Sequence, residues 1–243
     1  MASLESLPMD VLDKIPPLRF DRERQAAPQV FEALRELIVS VALAPGMVLP
    51  RAELAEHYGI SQTPIRDALM RLGEEGLVDI FPQHATVVSR IDIAAALQAH
   101  FLRRSIELEI LRTLAALPEA AHAALLTRLH AHLRRQADAL QPLDYAALAA
   151  ADQAFHRELY QAADVEPLWA LVRQRSGHVD RLRRLNLPAA GKAQAIVRDH
   201  GAIVEALAAR DAAAAEAALR RHLSGTLSFV ADIRAQYPAF VSG

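Results

Sequence analysis

The stretch from Leu49 to Val78, LPRAELAEHYGISQTPIRDALMRLGEEGLV, constrains the fold more than any other part of the chain. It predicts one short helix over 51–58, a tight turn at 59–61 and a second helix over 62–72. Apolar residues recur at helical spacing, so both helices bury one face in a shared small core: Leu54, Ala55, Ile60, Ile65, Leu69 and Leu72. The pattern is that of a helix-turn-helix, in which the second helix is shaped to enter a DNA major groove.

The residues of the turn support this interpretation. Gly59 can adopt the left-handed conformation that ends a helix, and Ser61 is a favourable N-cap for the helix that follows. Pro64 falls in the first turn of that helix, where its missing N–H is not needed. The outer face of the second helix then carries Gln62, Thr63, Arg66, Asp67, Met70 and Arg71.

Composition indicates a mainly helical protein. The 243 residues are 52% hydrophobic but only 5% aromatic, and none is cysteine, which excludes disulfides and thiolate chemistry. The sequence has neither a signal-peptide pattern at its start nor about 18 uninterrupted apolar residues. We therefore expect a cytoplasmic protein without a membrane partner.

Breaks in the pattern divide the chain into three parts. Residues 1–27 contain scattered prolines and charges and predict a flexible N-terminal arm. Residues 28–90 hold a first helix, the helix-turn-helix and two alternating runs that predict a β-hairpin wing, so they form a winged helix-turn-helix domain. Residues 91–236 predict an all-helical domain, an antiparallel six-helix bundle. Its helices are expected at about 92–116, 119–140, 143–163, 166–186, 189–209 and 211–236.

The charge of residues 28–90 weighs against strong non-specific affinity for DNA. Five arginines and no lysine stand against eight acidic residues, a net charge of −3, whereas DNA-binding domains are usually basic. Only the side that faces the groove needs positive charge, and two domains in a dimer can bind jointly. The alternative is a winged helix that binds protein.

One carboxylate and three imidazoles lie on apolar helix faces in the second part. Asp152 and His156 are four residues apart and share a face, while His200 and His222 lie on apolar stripes of two later helices. Three helices would thus project four ligand groups into a bundle core, a set that suits zinc, nickel, iron or manganese. The alternative is a group of hydrogen-bonded core histidines that bind no metal.

The first domain resembles the N-terminal domain of GntR-type transcriptional regulators. The resemblance rests on Pro45-Gly46-x-x-Leu49, Glu53-Leu54-Ala55, Ser61-x-Thr63-Pro64-Ile65-Arg66-Asp67-Ala68-Leu69, Leu72 and Glu75-Gly76-Leu77-Val78. It implies DNA contacts at Thr63, Arg66, the position of Gln62 and the wing tip near His84. The family usually has arginine at the position of Gln62 and glycine at that of His84, so the operator preference stays open. The candidate DNA-binding residues are Arg51, Gln62, Thr63, Arg66, Arg71 and His84.

The helical part resembles the C-terminal effector domain of FadR-type GntR regulators, in the branch that binds metal. The matching motifs are Ala151-Asp152-x-x-Phe155-His156-x-x-Leu159, Asp199-His200-x-x-Ile203 and Leu219-x-x-His222-Leu223. The resemblance implies a divalent ion, zinc or nickel, on Asp152, His156, His200 and His222, with a pocket for a small carboxylate effector. It also implies that Arg103 faces this pocket; a salt bridge from Arg103 to Glu107 and the neighbouring Arg104 are the alternatives. The arginines between 173 and 184 predict a solvated helix face.

The sequence therefore predicts a ligand-responsive transcriptional regulator that binds a palindromic operator as a homodimer. The alternatives are a metal-dependent helical hydrolase and a direct metal sensor. No nucleophile elbow, phosphate loop or dinucleotide fingerprint supports an enzyme. The effector, the operator, the direction of regulation and the ion that is bound remain open at this point.

Overall fold

The fold is mainly helical, as predicted, and it divides into two units. The structure is a computed structural model that describes residues 11–243. The first unit runs to Ile93 and also takes in Arg234–Gly243, and the second unit comprises Ala94–Ile233. The chain therefore passes from one unit to the other twice.

The first unit contains the predicted helix-turn-helix. Helix α1 spans Ala26–Val39, α2 spans Arg51–Tyr58 and α3 spans Gln62–Glu74. Gly59 ends α2 with φ 64°, the left-handed conformation expected of it, and Ser61 occupies the N-cap of α3 without a side-chain capping hydrogen bond. These helices enclose a small apolar core that includes Val30, Leu34, Ile38, Leu54, Ile65 and Leu72, each at most 1% exposed.

The wing is a two-stranded antiparallel hairpin. Strand β1 (Val78–Phe81) pairs with β2 (Ala85–Val88), and Phe81 opposite Ala85 closes the register. The turn between them places Gln83 at φ 61°, a left-handed conformation that favours glycine, and His84 follows it in the same turn.

Residues 11–25 differ from the predicted flexible arm, whose residues 1–10 lie outside the described part. Val11–Lys14 form a turn of 3-10 helix. Ile15 is only 2% exposed in the core of the first unit, and Leu18 and Phe20 pack against that core. Three apolar side chains within a proline-containing segment can cover a core without regular secondary structure, which periodicity alone does not reveal.

The last residues of the chain return to the first unit. Strand β3 (Ile91–Asp92) pairs in parallel with β4 (Val241–Ser242), and the Ile91 amide donates to the Phe240 carbonyl at 2.7 Å. The sequence predicts neither strand, because two residues are too few to show an alternating pattern.

The second unit is built from helices that follow one another through short connections. They are α4 (Ile93–Ala115), α5 (Glu119–Asp138), α6 (Tyr145–Ala162), α7 (Glu166–Arg175), α8 (Gly177–Asn186), α9 (Lys192–Ala208), α10 (Ala212–Leu227) and α11 (Val230–Gln236). Two predicted helices are interrupted, 166–186 at Ser176 and 211–236 after Leu227. Helix α9 packs against α5 and α10, and α5 packs against α6. Among the described residues, no helix is both long and apolar enough to cross a membrane.

We predict that Ile15→Ala destabilises the first unit by about 2–4 kcal/mol, because it removes most of a buried aliphatic side chain and leaves a cavity. Urea unfolding of the full chain measures the change. Arg19→Ala, in the same segment but exposed, is the control and should shift the free energy of unfolding by less than about 0.5 kcal/mol. Equal and negligible effects of the two substitutions would indicate that Ile15 is not part of the core.

Candidate metal centre and DNA-binding face

Three imidazoles and one carboxylate meet in the core of the second unit. The Nε2 atoms of His156, His200 and His222 lie 3.1–3.2 Å from one another. Oδ1 of Asp152 lies 3.6 Å from the Nε2 of His200, 3.9 Å from that of His222 and 4.0 Å from that of His156. All four side chains are buried. Helix α6 supplies Asp152 and His156, α9 supplies His200 and α10 supplies His222, as the sequence predicts.

Hydrogen bonds at the Nδ1 atoms of His156 and His200 orient both rings so that their Nε2 lone pairs face the centre of the cluster. Nδ1 of His156 lies 2.9 Å from Oε2 of Glu107, a carboxylate oxygen that only accepts, so Nδ1 carries the proton. Nδ1 of His200 lies 2.8 Å from Oε1 of Gln136, whose amide nitrogen donates to the Ala151 carbonyl. The Nε2 atoms of both rings are therefore unprotonated acceptors that face each other at 3.2 Å, a repulsive arrangement that a shared cation relieves.

The electrostatic environment keeps the imidazoles neutral and the carboxylate ionised. Burial lowers the pKa of His200 to about 3, and burial lowers the pKa values of His156 and His222 as well. Burial alone would raise the pKa of Asp152, but Arg183 and the three imidazoles hold it well below its usual range. Neutral imidazole and ionised carboxylate are the forms that bind a metal ion.

The geometry fits a divalent ion. Two nitrogens 3.1–3.2 Å apart subtend roughly a right angle at an ion about 2.1 Å from each. Oδ1 of Asp152 is buried and has no hydrogen-bond partner among the described residues. This carboxylate oxygen is therefore available as the fourth ligand. The donor set of three nitrogens and one oxygen suits zinc or nickel and does not by itself distinguish them.

Arg103 lies beside this centre, buried rather than on the surface. Its Nε donates to Oε1 of Glu107 at 2.7 Å, and the other oxygen of Glu107 holds His156. Nη2 of Arg103 is buried without a hydrogen-bond partner in the described part of the chain. The salt bridge to Glu107 that the sequence offered as an alternative is present, but it is a buried one that orients a histidine of the centre. Arg104, in contrast, is half-buried and lies over the ring of Phe101.

The expectation that the arginines of residues 173–184 form a solvated face is wrong for three of them. Nη2 of Arg183 donates to Oδ2 of Asp152 at 2.6 Å, and Arg173 donates to Oδ2 of the buried Asp180 at 2.6 Å. Arg181 is fully buried. Helix α8 begins at Gly177 as a separate helix, so its buried face need not continue that of α7.

The candidate DNA-binding residues all lie on the surface of the first unit. Arg51, Gln62, Thr63, Arg66, Arg71 and His84 are exposed. Arg66 lies 3.3 Å from Oδ1 of Asp67. The guanidinium of Arg71 lies 4.1 Å from the centre of the Phe31 ring, so this arginine packs α3 against α1 as well as facing solvent. Glu75, close to Arg71 in the sequence, accepts from Nε of Arg35 at 2.7 Å.

Three side chains that support the centre are absent from the predicted ligand set: Glu107, Gln136 and Arg183. The sequence indicated Glu107 only as a salt-bridge partner of Arg103 and not as a hydrogen-bond partner of His156. Gln136 comes from α5, four helices before α9, and no local pattern joins it to His200. Such second-layer contacts depend on how helices pack and not on the spacing within one helix.

Two family models match the chain over its two parts. Residues 26–88 match the model described as bacterial regulatory proteins, gntR family, and residues 98–225 match the FCD domain. The second match alone covers more than half of the chain.

Curated relatives and solved structures agree with these matches. The chain is 35% identical to an uncharacterized HTH-type transcriptional regulator in an unstable DNA locus of Streptomyces ambofaciens, over 86% of each chain. It is 30% identical to the HTH-type transcriptional repressor RspR of Escherichia coli (strain K12), over 85% of this chain and 89% of the other. Its fold resembles Escherichia coli McbR/YncC with a TM-score of 0.71 at 20% identity, over 86% of this chain and 98% of the other. A putative transcriptional regulator GntR from Rhodococcus sp. RHA1 gives a TM-score of 0.71 at 19% identity, over 84% and 97%.

We predict that Glu107→Gln weakens metal binding by about 10- to 100-fold, because it removes the carboxylate that fixes the tautomer and orientation of His156. Competition of the full chain with a chromophoric chelator measures the zinc affinity. Glu109→Gln, an exposed substitution on the same helix, is the matched control. If both variants bound zinc as tightly as the parent chain, Glu107 would have no part in orienting the centre.

Proposed function

The chain belongs to the gntR family of bacterial regulatory proteins and is a transcriptional regulator with an FCD domain, and from that premise we propose that a small organic acid, bound beside a divalent ion, controls its affinity for operator DNA. The observation that carries this proposal is the convergence of three buried imidazole Nε2 atoms at 3.1–3.2 Å. The relatives named above are transcriptional regulators and not enzymes, so the hydrolase alternative has no support from them.

In this proposal the first unit reads DNA with α3 and the wing. Gln62, Thr63 and Arg66 begin α3 on its exposed side, the end of a recognition helix that contacts base edges. Glutamine can bind adenine through two hydrogen bonds, whereas arginine prefers guanine. Gln62 would therefore favour adenine at the base pair that it contacts. Arg51 and His84 would contact the backbone on either side, and Arg71 would do so from its place over Phe31.

We propose further that two copies bind a palindromic operator as a homodimer. A two-fold axis in the protein matches a two-fold axis in the operator and doubles the number of base contacts. A first unit with a net charge of −3 over residues 28–90 gains little from non-specific attraction to phosphates. Joint binding by two units is the way for such a domain to reach useful affinity.

Asp152, His156, His200 and His222 would hold the ion. When bound, the ion supplies a positive charge that attracts a carboxylate oxygen of the effector. Arg103 would bind the same acid group, since its buried Nη2 has a free N–H donor beside the centre. A buried arginine with an unused donor is costly to maintain, and an acid group that accepts from it removes that cost.

Control of DNA binding requires that the acid bind more tightly to one arrangement of the protein than to another. By linkage, DNA must then change the affinity for the acid by the same factor that the acid changes the affinity for DNA. The proposal leaves the direction of the effect free, so the acid can either release or promote DNA binding.

We predict that Arg66→Ala weakens binding to the selected operator by about 10- to 100-fold, through the loss of about 1–3 kcal/mol. A duplex obtained by selection from a random pool with the parent chain serves as the probe, and fluorescence anisotropy measures the Kd. Arg134→Ala, an exposed substitution on α5 of the second unit, removes the same charge and should leave the Kd unchanged. Equal Kd values for Arg66→Ala and the parent chain would remove Arg66 from the interface.

We predict that His222→Ala removes the bound ion and with it the response of DNA binding to organic acids, while DNA binding without effector persists. Elemental analysis gives the metal content, and thermal unfolding checks that the second unit is folded. His130→Ala, an exposed substitution on α5, is the control and should retain both properties. Full metal occupancy in His222→Ala would overturn the ligand assignment. If zinc alone, without an acid, changed the Kd of the parent chain for the operator, the result would favour a direct metal sensor.

A further inference from the structure

Residues 237–243 form a strap that belongs to the first unit and binds the linker, residues 89–92, which leads into the second unit. The Ile91 amide of the linker donates to the Phe240 carbonyl of the strap at 2.7 Å. Ile91 also lies opposite Val241 in the parallel pair β3–β4, and the two residues are 0% and 7% exposed. The linker backbone is thus held by a segment that follows the whole second unit in the chain.

Both partners of this contact are anchored by further hydrogen bonds. Oγ of Ser89 donates to the Gly76 carbonyl at 2.6 Å, which ties the start of the linker to the residues before the wing. At the other partner, the guanidinium of Arg234 donates to the Gly243 carbonyl, which ties the strap to the end of α11. The paired strands therefore join two segments that are each held in place.

The strap follows in the chain from the helix that carries His222. Helix α11 begins directly after the two residues that follow α10, and the strap begins where α11 ends. Nζ of Lys192, the first residue of α9, donates to the Gly225 carbonyl near the end of α10 at 2.9 Å. The end of α10 is thus tied to α9, the helix of His200, so two ligand helices meet where the chain turns toward the strap.

The pairing of strap and linker closes the whole second unit into a loop of chain. Closing a loop costs conformational entropy, and less of it is lost when the chain between the two ends is already ordered. An ion held by Asp152, His156, His200 and His222 would join α6, α9 and α10 within this loop and stabilise their order. An occupied centre and a paired strap would therefore favour each other, and each would strengthen the other by the same factor.

We propose that the strap reports the occupancy of the metal centre to the linker. The inference rests on the proposed function for its metal site alone, since it needs the ion and not the acid. With the ion bound, the strap holds Ile91; without the ion, the strap dissociates more often and the linker torsions become free. A linker with free torsions loses more entropy when two first units bind the half-sites of one operator.

Hydrogen exchange of the full chain, read by mass spectrometry on peptides that cover the linker, tests this with zinc as the probe. We expect removal of zinc by a chelator to raise the exchange rate of the linker by about 5-fold or more, the lower end of typical coupling between sites. The amides of α3, in the same unit, should exchange at an unchanged rate. Acceleration of α3 together with the linker would indicate general destabilisation and overturn the proposal.

Val241→Asp places an unpaired carboxylate at a buried position of the strap and should release it. The linker should then exchange fast with and without zinc, and competition with a chelator should show zinc affinity reduced by the factor that zinc contributes to linker protection in the parent chain. Ala239→Asp, which adds the same charge at an exposed position of the strap, should behave as the parent chain. Circular dichroism checks folding, and Val241→Gly takes the place of Val241→Asp in both measurements if the latter is unfolded.

The outcomes separate this inference from the function on which it rests. If the parent chain binds no zinc, the proposed metal site fails and the inference fails with it. If zinc binds but leaves linker exchange unchanged, or if release of the strap leaves zinc affinity unchanged, the strap does not report the centre and the metal site stands.

Discussion

The mutual approach of three imidazole nitrogens in a buried core is the constraint on which the second unit depends. Two of the rings have their protons fixed on Nδ1 by Glu107 and Gln136, so their Nε2 lone pairs face each other at 3.2 Å. Without a cation that arrangement is repulsive and costs free energy of folding. A divalent ion held by these nitrogens would replace the repulsion with metal–nitrogen bonds and would link the stability of this unit to the concentration of the ion.

The layer of side chains around the centre explains the position of Arg183 on α8. Each ligand group needs a partner that holds it in place, and Asp152 uses one oxygen to accept from Arg183 while Oδ1 remains available. Arg183 thus orients the carboxylate and keeps it ionised. Because α8 is a helix separate from α7, the side that it buries is not set by the preceding turns.

The elements predicted well are those with a strong local pattern. The helix-turn-helix, the left-handed Gly59 and the inward face shared by Asp152 and His156 follow from spacing within ten or so residues. The misses are contacts between distant segments. Ile15 in the first core, Gln136 beside His200 and the pairing of Val241–Ser242 with Ile91–Asp92 depend on packing that no single window of sequence contains. The meeting of Asp152, His156, His200 and His222 was predictable because each lies on an apolar helix stripe, where a polar side chain needs a partner in the core.

The acidic character of residues 28–90 bears on how strong the control by an effector has to be. Five arginines against eight carboxylates give little non-specific attraction, so specific contacts such as those proposed for Arg66 must supply most of the binding free energy. A regulator that starts near the limit of useful affinity changes its occupancy of an operator by a large factor when that affinity shifts by a typical coupling of about 1–3 kcal/mol. A strongly basic domain would need a much larger coupling to leave the DNA. In the proposed function, weak general attraction to DNA and a modest ligand-induced shift therefore complement each other: the recognition helix would provide selectivity and the buried centre would provide control.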